Sequence, residues 1–222
     1  MITIIQNYGF MLLTALGRTL QLTLLSLVFA IIIGMIFALM NVGKNRILNF
    51  FGTVYVDAVR GVPLIVLAFF IYFGVPSAVK MMGIQGFSFS SLLAGTIALS
   101  MNCGAYMAEI FRAGIESIDK GQMEASRSLG LTYGKSMRLV ILPQAVRVMI
   151  PSIINQFIIT LKDTSILSVI AYPELTNMGK IISGNTFKVF QSWAIIAVLY
   201  MVIIVTLSKI AKKIERRVNR DR

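Results

Sequence analysis

The sequence predicts an all-α integral membrane protein of five transmembrane helices, with a long polar loop between spans three and four. Three observations predict it. The 222 residues are 57% hydrophobic and 14% charged, with a mean hydropathy of +0.82, whereas soluble domains carry about 25% charged residues. Five nearly uncharged runs each approach the ~20 residues that a helix needs to cross a bilayer core. The 21 Lys and Arg are divided unevenly between alternate loops, the pattern that sets membrane orientation.

Span one is expected over about residues 12–40. Its stretch from Thr19 to Met40 is uncharged, and Arg18 stands at the outer edge, where it can snorkel. Residues 1–10 lack the basic n-region of a secretory signal, so the first span is expected to be retained. Span two, 61–79, is entered through Arg60-Gly61-Val62-Pro63, since Pro fits a first helical turn, and Pro76 is expected to help stop it. Gly83 to Ser90 is turn-rich. Span three, 90–112, is polar in places: Ser100, Asn102, Tyr106. The polar interval fills 113–146. Span four, 147–171, is interrupted by Lys162-Asp163-Thr164-Ser165. Residues 172–188, with Pro173, Gly179 and Gly184, read as a loop, and span five covers 189–209. No internal repeat or composition shift divides the chain, so 1–222 reads as a single transmembrane domain.

Five spans place the ends on opposite sides. One set of loops carries Lys44, Arg46 and Arg60, then Arg112, Lys120, Arg127, Lys135, Arg138 and Arg147, then the tail with Lys209, Lys212, Lys213, Arg216, Arg217, Arg220 and Arg222. The other set carries Lys80, Lys180 and Lys188. The positive-inside rule therefore puts the polar interval and the C-terminus in the cytoplasm and the N-terminus outside. A net charge of +12 can signal nucleic acid, but that needs a basic groove or stripe on a soluble fold. Here the lipid bilayer is the partner, and no nucleic acid is expected.

The polar interval has its own local order. Asp119 with Gln122 resembles a capping box, and Gly130 is a natural C′ residue, so a helix of about ten residues is expected between them. A second short helix is expected from Thr132 to Leu142, ending at Pro143. The first helix is thin in apolar residues and marginal alone. It is either an ordinary connector or a docking knob for a soluble partner.

Several chemistries are excluded. Gly130-Leu-Thr-Tyr-Gly134-Lys135-Ser136 has three residues between its glycines where a phosphate-binding loop needs four, and it follows a helix rather than a strand. No ATP site is expected on this chain. With no His and a single Cys, Cys103, neither zinc ligation nor His-based acid–base catalysis is expected. No disulfide framework is possible, and no intramembrane catalytic constellation is evident.

The polar residues within spans carry the interest, because ionisable groups at membrane depth usually face a bundle interior or a water-filled cavity. Lys162 and Asp163 are adjacent and cannot face each other on a regular helix. Asp163, Thr164 and Ser165 are all good N-caps, so a break with a new helical start at Ile166 is expected. Such a helix end holds a charged substrate, or the group is a structural ion pair or cap. An incoming ammonium group, or a Lys or Arg from another span, is the partner Asp163 needs. Asn102 and Tyr106 share a face of span three and either line a path or bond a neighbour. Asp57 with Arg60, and Glu109 with Arg112, are expected to pair at i, i+3 as interfacial salt bridges.

Beyond these readings, the sequence resembles the membrane permease subunits of bacterial ABC importers for polar amino acids, the histidine/glutamine/arginine type. That family's signature is Glu-Ala-Ala, three residues, Gly, nine residues, Ile-x-Leu-Pro. Here it reads Glu124-Ala125-Ser126, then Gly130, then Val140-Ile141-Leu142-Pro143, with Ser for one Ala, Val for Ile and the spacing intact. Ala105-Tyr106-Met107-Ala108-Glu109, Lys120-Gly121-Gln122, Leu161-Lys162-Asp163-Thr164-Ser165, Arg60-Gly61-Val62-Pro63-Leu64 and the tail Glu215-Arg216-Arg217 are similar too, so the resemblance spans roughly residues 12–217. It implies a coupling helix, with Gln122, Glu124, Ala125, Ser126, Leu129 and Gly130 resting in a groove of an ABC ATPase subunit, and with Ala125 and Ser126 small enough for close approach. It implies a second permease chain, identical or homologous, and an extracytoplasmic amino-acid-binding protein. ATP and Mg would sit on the ATPase, with no metal or cofactor on this chain. Asn102, Tyr106, Lys162, Asp163, Thr164 and Ser165 are the candidates for the path of a polar amino acid. The rivals are an ion-coupled secondary transporter, which would need broken helices repeated in two halves, and a non-transporting membrane scaffold, which leaves Lys162 and Asp163 unexplained.

Overall fold

The computed structural model describes residues 1–43 and 45–220, with side chains as far as Glu215. Lys44, the side chains of Arg216, Arg217 and Arg220, and Arg222 lie outside the described residues, and so does that part of the charge asymmetry. The described chain is helical, in the order α1 (Ile2–Val42), α2 (Arg46–Gly61), α3 (Leu64–Met81), α4 (Ser91–Glu116), α5 (Lys120–Ser128), α6 (Tyr133–Ile170), α7 (Leu175–Thr186) and α8 (Val189–Arg220). Four of these are long and apolar enough to cross a membrane: α1, α3, α6 and α8 as far as Glu215. Helix α4 is less apolar because Gly, Ser and Asn dilute it, and it is the most buried of the long helices.

Helix α1 is longer than the sequence suggests. It starts at Ile2 rather than near residue 12 and runs 41 residues, about 60 Å at 1.5 Å per residue. Its first half packs on α7 and α8 through Ile4, Leu12, Ile182 and Ile196. Its second half lies along α4. There the backbones approach so closely that a Cβ on Gly34 would sit 2.6 Å from Met107 Cβ, and one on Gly104 would sit 2.8 Å from Ile33 Cγ2. Ala30, Ala38 and Ala108 continue the contact, all buried. Small residues let membrane helices associate by close packing where lipid removes the hydrophobic drive.

Two proline expectations fail, for one reason. Pro76 does not stop α3, which continues to Met81, and Pro143 does not end a helix, since α6 runs through it to Ile170. In each case a π-helical turn ends two residues before the proline: Phe70–Gly74 before Pro76, and Met137–Ile141 before Pro143. The extra residue in the turn accommodates a ring that cannot donate an N–H to the preceding turn. Pro151 lies inside α6 as well. The break is at Pro63 instead, where Val62 is extended and α2 gives way to α3.

Two helices occupy segments read as loops. Helix α2 starts at Asn45, whose side chain accepts hydrogen bonds from the Ile47 and Leu48 amides. Helix α7 starts at Glu174, whose two carboxylate oxygens accept from the amides of Thr176 and Asn177, each at 2.7 Å, and from the Tyr200 hydroxyl of α8 at 2.8 Å. Tyr172 donates to the Arg18 carbonyl and the Leu175 amide donates to Thr19 Oγ1, tying this corner to α1. The helix was legible: Leu175, Met178, Gly179 and Ile182 are its buried face, at helical spacing.

Two predictions follow from this packing. Gly34→Val is expected to destabilise by about 1–3 kcal/mol through overpacking, read as a lower Tm in detergent. Gly17→Ala, where nothing lies within 4 Å of the new Cβ, is expected to leave Tm unchanged or raise it. Glu174 lies outside the spans, and burial pushes its carboxyl above the usual range, although its three donors pull the other way. A raised folded pKa favours the protonated fold, so the stability it contributes is full below the ordinary carboxylate pKa and lost as pH rises through the folded value. Glu174→Gln removes that dependence. The difference in Tm between wild type and Glu174→Gln should therefore fall as pH rises from the ordinary Glu range, and a pH-independent difference would refute the assignment.

Candidate functional site

Two regions collect the polar residues. The first is the interval between α4 and α6. Asp119 caps α5, its Oδ1 accepting from the Gly121 amide at 2.6 Å. Gln122 does not complete a capping box: its Oε1 accepts instead from Gln144 Nε2 of α6 at 3.4 Å. Helix α5 therefore leans on α6 through a side-chain bond and through Met123, which packs against the buried cluster that includes Ile141, Ala145 and Met149 of α6.

The end of α5 is a Schellman turn. The Leu131 amide donates to the Ser126 carbonyl at 3.2 Å and the Gly130 amide to the Arg127 carbonyl at 3.0 Å, with Gly130 at φ +86°. Only glycine adopts this conformation without strain. Of the six residues proposed for coupling, Gln122, Glu124, Ala125, Leu129 and Gly130 are exposed. Ser126 is not: it is buried, and its hydroxyl donates to the Met123 carbonyl at 2.8 Å. It packs α5 onto its own chain. Leu129 is 84% exposed, next to an exposed Tyr133, an apolar residue held out at the tip of a polar segment.

The second region is a cleft between α2, α4 and α6. One cavity, about 520 Å³, brings together Asn102 and Tyr106 of α4, Asp163 and Gln156 of α6, and Arg60 at the end of α2. Of the path candidates, Asn102, Tyr106 and Asp163 therefore meet. Lys162 is exposed and does not line the cavity, Thr164 is buried with its hydroxyl donating to the Leu161 carbonyl at 2.7 Å, and Ser165 is outside it. The expected restart at Ile166 is absent. Helix α6 instead tightens to a 3-10 turn over Thr164–Ile170 and closes at Ala171, which has φ +56°. No side-chain cap bond forms at Asp163, because the backbone amides it would cap remain hydrogen-bonded along the helix.

Arg60 does not pair with Asp57. Its Nη1 lies 3.8 Å from Glu109 Oε2, and its guanidinium carbon lies 5.2 Å from the centre of the Tyr106 ring. Glu109 does pair with Arg112, as its i, i+3 spacing predicts, and Arg112 also reaches Glu116. A second cavity, about 620 Å³, adjoins Glu109 and continues past Gly114 and Ser117. Arg60 and Gln156 were not among the path candidates. The signal for Gln156 was its i, i+4 spacing to Thr160 on an apolar span. Both approach the buried Cys103 sulfur, Thr160 Oγ1 at 3.2 Å and Gln156 Nε2 at 3.9 Å.

Residues 30–220 match the family described as the binding-protein-dependent transport system inner membrane component. The chain belongs to that family. This permease is 36% identical over 204 residues to the protein named "Probable glutamine ABC transporter permease protein GlnM" of Bacillus subtilis, covering 92% of this chain and 91% of that one. It is 38% identical over 199 residues to the glutamine transport system permease protein GlnP of Escherichia coli, covering 90% and 89%. A solved structure described as an amino acid ABC transporter with histidines superposes with a TM-score of 0.88, at 37% identity and 96% coverage of each chain. The permease is thus the membrane component of an ABC importer.

The turn at Gly130 generates a prediction that needs no partner. Gly130→Val should strain the left-handed position by about 1–3 kcal/mol, and hydrogen exchange at the Gly130 and Leu131 amides should accelerate while protection within α4 holds. Unchanged exchange at those two amides would show the positive φ to be dispensable.

Proposed function

We propose that this permease carries a polar amino acid, with L-glutamine the first candidate, through the cleft that holds Asn102, Tyr106 and Asp163. The observation that carries the reading is the convergence of an unpaired carboxylate, an amide and an aromatic hydroxyl on one cavity between apolar helices. Asp163 makes no salt bridge within 4 Å among the described residues. A carboxylate at membrane depth is costly without water or a cation, and the α-ammonium group of an amino acid supplies one. Arg60, the cation from another element, lines the same cavity without pairing to Asp163, and its 3.8 Å contact with Glu109 is long enough for it to turn to the substrate carboxylate instead. The glutamine permeases among its relatives support the choice of substrate.

In this reading α4 is the fifth span, packed inside the others. The N-terminus lies outside, and the C-terminus and α5 lie in the cytoplasm. Alternating access is driven by ATP hydrolysed on a separate ABC ATPase subunit, which also holds the Mg. Exposed Glu124, Ala125 and Leu129 form the docking face for that ATPase, while Gln122 and Gly130 set the pose of the helix. A second permease chain completes the path, and an extracytoplasmic binding protein delivers the substrate. Lys162, Thr164 and Ser165 act on the structure of α6 rather than on the solute.

The test is uptake of radiolabelled L-glutamine by proteoliposomes holding the permease with its ATPase and binding protein. Asp163→Asn keeps the shape and removes the charge. A charge-assisted hydrogen bond contributes about 1.5–3 kcal/mol, so uptake efficiency should fall roughly 10- to 150-fold, with assembly and basal ATPase activity intact. Collapse of the complex would assign Asp163 to structure, and unchanged kinetics would eliminate the substrate role.

A further inference from the structure

The two cavities of the cleft share three lining residues: Arg60, Tyr106 and Gln156. They come from three different helices, α2, α4 and α6. One cavity leads to Asn102 and Asp163, and the other continues past Glu109 to Gly114 and Ser117, beside the polar interval. These three side chains therefore stand where the two cavities adjoin.

The throat is loosely held. Among the described residues Arg60 has a cation–π contact with the ring of Tyr106 at 5.2 Å and an ion pair with Glu109 at 3.8 Å, and neither is a hydrogen bond. Both are of the kind that contributes little at a partly exposed site. Glu109 is engaged more closely by Arg112 on its own helix. Gln156 is buried, yet among the described residues the one hydrogen-bond partner of its amide nitrogen is the Cys103 sulfur, a weak acceptor, at 3.9 Å. By contrast the backbone around them is fixed by close helix packing, as at Gly114, where a Cβ would meet Met149 Cγ at 2.3 Å.

We propose that Arg60, Tyr106 and Gln156 form the inner gate of the substrate path, and that Arg60 is its moving part. The inference rests on the amino-acid reading above. The gate is closed while the guanidinium lies over Tyr106 beside Glu109, and it opens when Arg60 swings away. The α-carboxylate of the substrate is the chemistry that draws it off, because bidentate pairing at hydrogen-bond distance outcompetes a 3.8 Å contact.

The experiment uses the complete complex in proteoliposomes. ATP-driven uptake of L-glutamine and other polar amino acids by the wild type tests the underlying reading, and a wild type that takes up none of them overturns that reading and the gate together. The gate itself is read from retention. Vesicles preloaded with labelled L-glutamine α-amide, which keeps the ammonium group but has no carboxylate to draw Arg60 off, and lacking ATP, should hold it with the wild type and lose it with Arg60→Ala. Arg60→Lys keeps the charge but not the planar group over the ring, so its loss should fall between the two. If the wild type transports and Arg60→Ala retains its load as the wild type does, the gate is wrong and the transport reading stands. Where Arg60→Ala fails to assemble, Tyr106→Leu decides: leakage supports the gate and wild-type retention overturns it.

Discussion

The close approach of α1 and α4 is the constraint on which the rest of this fold depends. In lipid, two helices gain nothing by hiding apolar side chains from water, so they hold together by contact distance. Gly34 and Gly104 bring the two backbones to where no side chain fits between them. That contact fixes α4 in the middle of the molecule. Everything polar that α4 carries, from Asn102 to Glu109, is thereby aimed at α2 and α6 rather than at lipid.

The ends of α1 extend the same logic outward. Its first half anchors α7 and α8, and the Glu174 network adds hydrogen bonds to the close packing of that corner. A buried carboxylate with three donors is fully engaged, so it positions helices and is not free for a ligand. Asp163 differs: it lines a cavity and has no salt-bridge partner within 4 Å among the described residues. The distinction between a structural acid and a candidate functional one lies in the neighbours, and both residues look alike in sequence.

Helix α6 shows how a long helix absorbs features that read as breaks. Pro143 and the Asp163-Thr164-Ser165 run each suggest a terminus when local propensity is considered alone. A π turn accommodates the first and a 3-10 turn the second, so one continuous helix carries the polar interval into the cleft. This continuity gives α5 a mechanical route to the cavity. It leans on the start of α6 through Gln122 and Met123, and Gln156 and Asp163 lie on the same helix further along.

By itself the sequence determined the class, most of the long helices, the cap at Asp119, the turn at Gly130 and the candidate polar faces. These depend on composition, on runs of uncharged residues and on backbone chemistry within a few positions, all of which are local. The signature from Glu124 to Pro143 also pointed to the family, because its spacing is a property of the chain alone. Only the tertiary structure decided that Arg60 turns to Glu109 and Tyr106 instead of Asp57, that Ser126 faces inward, and that Gln156 joins the cleft. Each of those depends on which helix stands opposite, and that is settled by the glycine contact between α1 and α4, two segments about seventy residues apart in sequence.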